Sequence, residues 1–261
     1  MMRHLLRAEP GPHRRPTRAR RHGRCMAAWP VRGVVAAIIA TCLLAPIRAL
    51  AGDLSGGVAI TSQLVDRGLA VTPASPVLQG AVSWTTPSGW SLALSGGVEL
   101  DSPGHVAAAV ARLGRTFSLS DNWRIQTGVL YYHYASRLRA NAYEPGVYLA
   151  YRDLLTFGVA CAYFPEADTH KLHPAADLNF HRPLAGDFWI TAGVGIARYA
   201  VSDGNPEYYH TGYYRYGQAG LIWNHGTWQV ELDRVLVDSA APVYLRRQAA
   251  ASWLATISWS F

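Results

Sequence analysis

The chain of 261 residues is poor in charge and, after residue 51, contains no long apolar run. Charged residues make up only 16% of the sequence, whereas hydrophobic residues make up 50%. A membrane-spanning helix needs about 18 or more consecutive apolar residues. No run after residue 51 approaches that length, so this part of the chain is not a helical membrane protein.

Cysteine is also scarce, with three in the chain. Cys25 and Cys42 lie near the N-terminus, which leaves Cys161 alone in the sequence after residue 51. A lone cysteine cannot form a disulfide within its own chain. We expect Cys161 to face outward on a strand as a small apolar residue.

The N-terminal segment has the pattern of a secretory signal. Arg32 precedes the apolar stretch 34–44, and residues 49–51 (Ala-Leu-Ala) supply the small side chains that a signal peptidase recognises. Pro46 cuts the stretch short of the length of a membrane anchor. We therefore predict cleavage after Ala51.

On this prediction residues 1–51 are leader and signal peptide, and residues 52–261 form the exported domain. Residues 1–25 are either an extended leader or an over-long start, because Met26 directly precedes a normal-looking signal. Loss of the ten Arg and one Glu in residues 1–51 leaves 14 basic and 16 acidic side chains, a net charge of −2. Nucleic-acid binding requires a basic face on the folded domain, so we predict no nucleic-acid partner.

From residue 54 onward, bulky apolar side chains alternate with small ones, which is the period of a β-strand. In residues 155–163, for example, Leu, Phe, Val, Cys and Tyr alternate with Thr, Gly and Ala. A soluble sandwich would carry charged residues opposite its apolar face, whereas small residues opposite an apolar face are typical of a barrel surrounded by lipid. The alternation predicts about twelve strands, at 54–62, 77–85, 89–98, 105–114, 122–132, 143–152, 154–163, 174–181, 187–198, 212–224, 226–236 and 249–261.

The connections between these strands alternate between short turns and longer segments, as in bacterial outer-membrane barrels. Tryptophans gather near the short turns and tyrosines near the longer segments, which predicts two aromatic girdles at the lipid interfaces. The last strand alternates up to Phe261 and resembles the C-terminal signal that such barrels present to their assembly machinery. We predict an all-β, transmembrane antiparallel barrel in contact with outer-membrane lipid. The alternative is a soluble periplasmic sandwich.

The first predicted hairpin resembles a known family. Residues 53–62 (Asp-Leu-Ser-Gly-Gly-Val-Ala-Ile-Thr-Ser), the pair Arg67-Gly68 and the run Leu78-Gln79-Gly80 are similar to the start of the exported domain in the proteobacterial TorF family. That family consists of outer-membrane porin-like barrels with no established substrate. The resemblance implies location and fold rather than mechanism.

The predicted inward face carries charged and amide side chains, which in a pore would bias the passage of ions. The alternative is that they pair with one another in a closed interior. Eight strands make a filled barrel and 16 to 18 leave a channel, so about twelve strands fit either case. The candidates for pore lining are Arg124, Gln126, Asp177, Asn179, Gln229, Glu231 and Asp233.

Arg67 and Gly68 lie in the first long connection. Glycine readily adopts a positive φ, which would let Arg67 turn back over the barrel mouth. Arg67 is then either a gate or anion-attracting residue, or it forms a salt bridge that fixes the loop. We favour the salt bridge.

Two sets of residues have chemistry suited to other functions. His170 and His173, with Glu166 nearby, are zinc-ligand types, but their spacing is unspecific and we predict no metal or other cofactor. His133 and Ser136 are neighbours that could serve a lipid hydrolase, yet the chain has no Gly-x-Ser-x-Gly nucleophile turn. We predict no catalytic residue.

The expected function is passive diffusion of ions or small polar solutes through a narrow porin-like channel. One alternative is a closed structural or ligand-binding outer-membrane barrel. The other is a lipid-modifying enzyme of the outer membrane.

Overall fold

The computed structural model describes residues 52–102, 105–135, 140–165, 171–202 and 209–261. In these ranges no helix is both long and apolar enough to cross a membrane.

Twelve strands of the described chain pair side by side, all antiparallel, into a closed barrel. They are β1 (Asp53–Thr61), β4 (Val77–Thr85), β5 (Trp90–Glu99), β6 (Val106–Ser118), β7 (Trp123–Tyr134), β8 (Ala142–Tyr151), β9 (Leu155–Ala162), β10 (His173–Pro183), β11 (Phe188–Ser202), β12 (Tyr209–His225), β13 (Trp228–Val237) and β14 (Trp253–Ser260). Two short strands, β2 (Val65–Asp66) and β3 (Leu69–Ala70), form a separate hairpin, and one short helix, α1 (Val243–Arg246), follows β13.

The barrel closes where the first and last strands meet. β1 pairs with β4 on one side and with β14 on the other. The pairing extends to the last residue, because Phe261 N–H donates to Gly56 O at 3.0 Å and Gly56 N–H donates to Phe261 O at 3.1 Å. Closure satisfies the backbone groups that an open sheet would leave exposed at its edges.

Strand alternation separates an apolar exterior from an interior of small and polar residues. On β9, Leu155, Phe157 and Val159 are 36%, 47% and 44% exposed on the outer face. The intervening Gly158 and Ala160 are buried on the inner face. An apolar band of this kind suits contact with hydrocarbon, and the predicted fold class is confirmed.

The two ends of the barrel differ. One end, here called the short-turn end, carries both chain termini of the barrel and the connections 86–89, 119–122, 152–154, 184–187 and 226–227. The opposite end, here called the long-loop end, carries connections that include 62–76 and 238–252. This alternation of short and long connections is the predicted one.

The predicted strands match the observed ones within a few residues, with one informative difference. β14 begins at Trp253 rather than at residue 249. Residues 249 and 250 instead pair with the first long loop: Ala249 bridges Leu69, and Ala250 N–H donates to Gly68 O at 2.9 Å.

The prediction of two lipid-facing aromatic girdles is wrong for several rings. Trp228 and Trp253 do face outward near opposite ends of β13 and β14. Trp189 lies on the inner face and stacks on His181, with ring centroids 4.7 Å apart. Four tyrosines of the long-loop end also point inward and are 2–6% exposed, because the first loop enters the lumen there and packs against them: Tyr132, Tyr134, Tyr199 and Tyr214.

Candidate functional site

The first long loop turns into the barrel instead of lying over its mouth. Its β2 and β3 strands form a tight hairpin, with Arg67 at φ +49° and Gly68 at φ +79° in the turn. Two successive positive φ values are typical of the hairpin turn whose twist matches the strands. The predicted positive φ of Gly68 is therefore confirmed, although Arg67 shares it. We call residues 62–72 the plug.

The plug fills the long-loop half of the lumen with apolar side chains. Leu64, Leu69 and Val71 are at most 7% exposed and belong to one buried cluster with the inward tyrosines. Leu245 of α1 is fully buried in the same cluster. This half of the barrel consequently has a hydrophobic core, as a small soluble protein does.

Backbone and amide hydrogen bonds tie the plug to the connection 238–252. Ala70 N–H donates to Gln248 O at 2.7 Å. The Gln63 amide donates to Thr72 O at 2.9 Å and accepts from Ala251 N–H at 2.8 Å. The first and last long loops thus hold each other inside the mouth.

An ion-paired arginine holds the tip of the plug against the barrel wall. Arg67 donates from Nη1 to Glu144 Oε2 at 2.7 Å and from Nη2 to Glu144 Oε1 at 3.2 Å. Its Nη2 also lies 3.5 Å from Asp177 Oδ2, and all three side chains are less than 10% exposed. A two-pronged arginine–carboxylate pair is strong and geometrically specific. We call these three residues the latch.

Tyrosine hydroxyls join the plug and the wall a second time. The Tyr199 hydroxyl donates to Asp66 Oδ2 at 3.4 Å, and the Tyr134 and Tyr199 hydroxyls are 3.3 Å apart. Near α1, the Tyr244 hydroxyl donates to Thr211 O at 2.7 Å. Burial raises the pKa of Tyr244 and keeps this donor protonated.

A cavity of about 190 Å³ lies in the lumen next to the plug. Plug residues, Arg67 among them, line it on one side. The wall contributes inward side chains of β6 to β12, many of them amides, hydroxyls and tyrosine rings. On β9 to β12 beside the cavity, the inner face includes glycine, threonine and amide side chains that do not fill the lumen.

The structure places all seven predicted pore-lining residues on the inner face, but it gathers only some of them at the cavity. Gln126, Asp177 and Asn179 line the cavity. Arg124 lies near the short-turn end and pairs with Asp153 at 2.5 Å. Whether any of these residues lines a conducting pore stays a prediction.

Three further pore-lining candidates lie on β13, outside the cavity lining. Glu231 and Asp233 are 3% and 5% exposed on its inner face, and Gln229 shares that face.

Gly68 sits so close to Val237 that an added Cβ would lie 2.9 Å from its Cγ2. Arg67 forms the salt bridge that the sequence favoured, within the lumen rather than over its mouth.

Several important residues were missed by the sequence reasoning. Glu144, Tyr148, Arg112 and Gln218 are inward on strands that were predicted correctly. The strand phase would have placed each of them inside. The inward tyrosines of the long-loop end were assigned to a girdle instead, because a tyrosine near a strand end is equally typical of a lipid interface.

The candidate zinc site and the candidate Ser–His pair each include residues outside the described ranges. His173 is fully buried, with its ring 4.9 Å from the ring of Phe164. The other two candidate zinc ligands, His170 and Glu166, lie outside the described residues. Within the described ranges, no three His, Cys, Asp or Glu side chains are arranged to hold a metal ion.

Of the candidate Ser–His pair, the described residues include His133. His133 lies on the outer face of β7, opposite Ala109 of β6. Ser136 is outside the described residues. Cys161 lies on the outer face of β9, as expected, opposite Pro174 of β10.

No protein-family model matches the chain, and the search of curated proteins finds no match. Among solved structures, the NanC porin is similar over 80% of this chain and 99% of its own, with a TM-score of 0.51 and 15% identity. The KdgM porin matches 79% of this chain and 98% of its own, with a TM-score of 0.46 and 10% identity. OccAB3 of Acinetobacter baumannii matches 82% of this chain and 66% of its own, with a TM-score of 0.40 and 9% identity. The likeness to NanC shows that the chain has the fold of a twelve-stranded porin barrel.

Proposed function

We propose that the protein is a porin-like channel of the bacterial outer membrane, through which ions or small polar solutes diffuse passively. In the structure described above, the plug closes its long-loop mouth. The observation that carries the proposal is a cavity, with amide, hydroxyl and charged side chains in its lining, inside a closed barrel whose exterior is apolar. A barrel that served only as a membrane anchor would gain stability from filling this space, as it does in the plugged half.

The fold of the NanC barrel supports this proposal. The plug is a second support, because it is a loop inside the lumen that is held by the latch and by hydrogen bonds to another loop. Loops held in this way open on microsecond to millisecond timescales. Outward movement of the plug would connect the cavity to the long-loop mouth.

The charge of the lumen favours cations. Six inward strand positions carry carboxylates, namely Asp53, Glu99, Glu144, Asp177, Glu231 and Asp233. The inward guanidinium groups of the described chain are Arg112 and Arg124 on strands, and Arg67 on the plug. Rings of carboxylates favour cations in other pores.

The proposal also covers the export of the protein and its assembly into the membrane. Signal cleavage after Ala51 would release the domain 52–261 into the periplasm, and the assembly machinery would read the last strand up to Phe261. The paired, outward-facing end of this strand suits such a role, since Phe261 is 47% exposed on the lipid side. Membership of the TorF family belongs to the same proposal and rests on the residues of the first hairpin.

One observation favours a second candidate, a closed structural or ligand-binding barrel. The plugged half is packed as a core, and its latch is buried. The lipid-modifying enzyme has no comparable support, although the non-enzymatic character of the channel is itself part of the proposal.

Single-channel conductance tests the function. The full chain is expressed in a Gram-negative host, purified from its outer membrane and inserted into planar bilayers. We expect discrete steps with a preference for K⁺ over Cl⁻, and a lower preference in the double variant Glu231→Gln/Asp233→Asn. Asp121→Asn, which removes a carboxylate from an exposed turn, serves as the control and leaves the preference unchanged. A folded barrel that is silent both as wild type and with the plug loosened by Arg67→Met contradicts the channel.

A further inference from the structure

The wall of the cavity contains an ordered row of side chains. Inward positions on five neighbouring strands, β8 to β12, stand directly opposite one another in register. The row places one carboxylate at its centre, a glycine on each side of it and a tyrosine at each outer position: Tyr148, Gly158, Asp177, Gly195 and Tyr216.

The glycines in the row make room for the tyrosine rings. A Cβ added at Gly158 would lie 2.5 Å and 2.7 Å from two carbons of the Tyr148 ring. A Cβ added at Gly195 would collide with the phenol end of Tyr216. Each tyrosine ring therefore occupies the space that a side chain on the glycine paired with it would fill. The two rings lie along the wall instead of crossing the lumen, and both line the cavity.

A second row, two residues further along each strand, supplies neutral hydrogen-bonding groups. Thr156, Asn179, Gly193 and Gln218 are paired in register across β9 to β12. The hydroxyl and the two amides of this row line the cavity below the tyrosines. Amide groups both donate and accept hydrogen bonds, so the second row can bind hydroxyl groups in either orientation.

The cavity lining is balanced in charge. Its two guanidinium groups belong to Arg67 and Arg112, and its two carboxylates belong to Asp66 and Asp177. Arg67 is already paired with Glu144 and Asp177. A charged solute would have to give up its hydration for a site with no net opposite charge, which is unfavourable. An uncharged polar solute has no such cost.

The size of the cavity limits the solute further. Its volume is about 190 Å³. Pockets for drug-sized molecules are larger, at roughly 300–1,000 Å³. The cavity therefore has room for one small ring with its hydroxyl groups.

We infer that this cavity binds a single uncharged sugar ring or a polyol of similar size. The C–H face of such a ring would pack on the wall tyrosines, since aromatic faces are electron-rich and C–H groups carry slight positive charge. Its hydroxyl groups would bond to Thr156, Asn179 and Gln218. The inference rests on the proposed channel, because the bound solute is taken to be the one that passes.

Binding is measured without conduction, on the full chain purified from outer membranes in detergent, by equilibrium dialysis with radiolabelled ligands. The uncharged probes are D-glucose, D-galactose and myo-inositol. The charged probes are D-glucuronate and D-glucosamine. We expect saturable binding of at least one uncharged probe, with the charged relatives binding at least about tenfold more weakly, a difference in binding free energy of about 1.4 kcal/mol.

Substitutions locate the bound ligand. Tyr148→Leu and Tyr216→Leu each weaken binding of the uncharged probe about tenfold, because they remove a ring face. Gln218→Leu also weakens it and leaves both rings in place. Tyr213→Leu, on the outer face of β12 where Tyr213 is 57% exposed, changes nothing. A folded barrel migrates differently in gel electrophoresis before and after heating. This difference in migration confirms that each variant is folded.

Each outcome decides the inference separately from the channel. Tighter binding of glucuronate or glucosamine, or no binding of any uncharged probe, overturns the inference even if the barrel conducts. Binding that is unaffected by the two tyrosine variants and by Gln218→Leu overturns it as well. If a barrel that never conducts binds the uncharged probe saturably and in a tyrosine-dependent way, the binding site stands and the channel is refuted.

Discussion

The two halves of the lumen are lined by the same strands, but one half is packed with side chains and the other contains a cavity. At the long-loop end the inner face carries tyrosines, and the plug adds Leu64 and Leu69, so the interior became a packed core. Beside the cavity the inner face of β9 to β12 carries glycines and polar groups, and space remains. The difference shows that strand number alone does not decide whether a twelve-stranded barrel is open. The side chains of each layer, and the loop available to enter it, decide this.

The largest change is expected from a charge placed in the packed half. Leu69→Asp puts a carboxylate at a position with no solvent exposure, at a cost of several kcal/mol unless the plug leaves the lumen. We expect the plug to move out and the conductance to rise several-fold over the wild type in planar bilayers.

Leu172→Asp is the matched control for this substitution. It makes the same chemical change at a residue of the long-loop end that is 60% exposed, and it leaves conductance unchanged. An unchanged conductance in folded Leu69→Asp would show that the plug does not close the pore.

The latch is expected to have the next largest effect. Arg67→Met keeps most of the side-chain volume but leaves Glu144 and Asp177 buried without their cation. Removing one partner of a buried ion pair costs about 3–5 kcal/mol. We expect a lower free energy of unfolding in urea, measured with the barrel in lipid vesicles, together with a higher open probability.

A second substitution distinguishes loss of the latch ion pairs from nonspecific destabilisation of the barrel. Adding Glu144→Gln to Arg67→Met removes one of the stranded charges and should recover part of the lost stability. Arg246→Met, at an exposed position of α1, is the control without effect. If Arg67→Met and Arg246→Met behaved alike, the latch would not hold the plug.

A moderate effect is expected from filling the open half. Gly158→Ala places a Cβ where the Tyr148 ring lies, so the ring must move into the cavity, at a cost of about 1–3 kcal/mol. Denaturant titration in lipid vesicles measures the loss. Gly80→Ala, at an outward position with nothing within 4 Å of its Cβ, should leave stability unchanged or slightly higher. Equal midpoints for the two variants would refute the seating of Tyr148 on Gly158.

The smallest effect concerns the turn of the plug. Gly68→Ala and Gly226→Ala both place alanine at a positive φ, +79° and +59°, which costs each about 1–2 kcal/mol. At Gly68 the new methyl group also meets Val237, whereas at Gly226 it meets nothing within 4 Å. We expect Gly68→Ala to be the less stable of the two in the same titration, and to conduct more often.

Much of the fold was predictable because the alternation of side chains is a local property. On β9 the residues 155–162 define strand and phase without reference to any other part of the chain. The same phase placed Asp177 and Asn179 inside, and it would have placed Glu144 there. Cavity membership was not predictable, since it depends on which inward residues a distant loop covers.

The plug illustrates the limit most clearly. Its sequence, 62–72, has no long alternation, and the two short strands gain their stability from the barrel around them. Tyr132 and Tyr199 are typical of a lipid interface by position and of a core by burial. Only a partner inside the lumen, supplied by a loop that is far away in sequence, decides between these two roles.

The sequence by itself determined the barrel: its class, its twelve strands, their phase and the contrast between an apolar exterior and a small, polar interior. These follow from the period of the strand and from the chemistry of lipid, both of which act residue by residue. The tertiary structure alone decided that Arg67 reaches Glu144 and Asp177, that one half of the lumen is filled, and that two tyrosines rest on glycines beside a carboxylate. Such contacts join residues that are far apart in the chain, and they exist only once the strands have closed into a barrel.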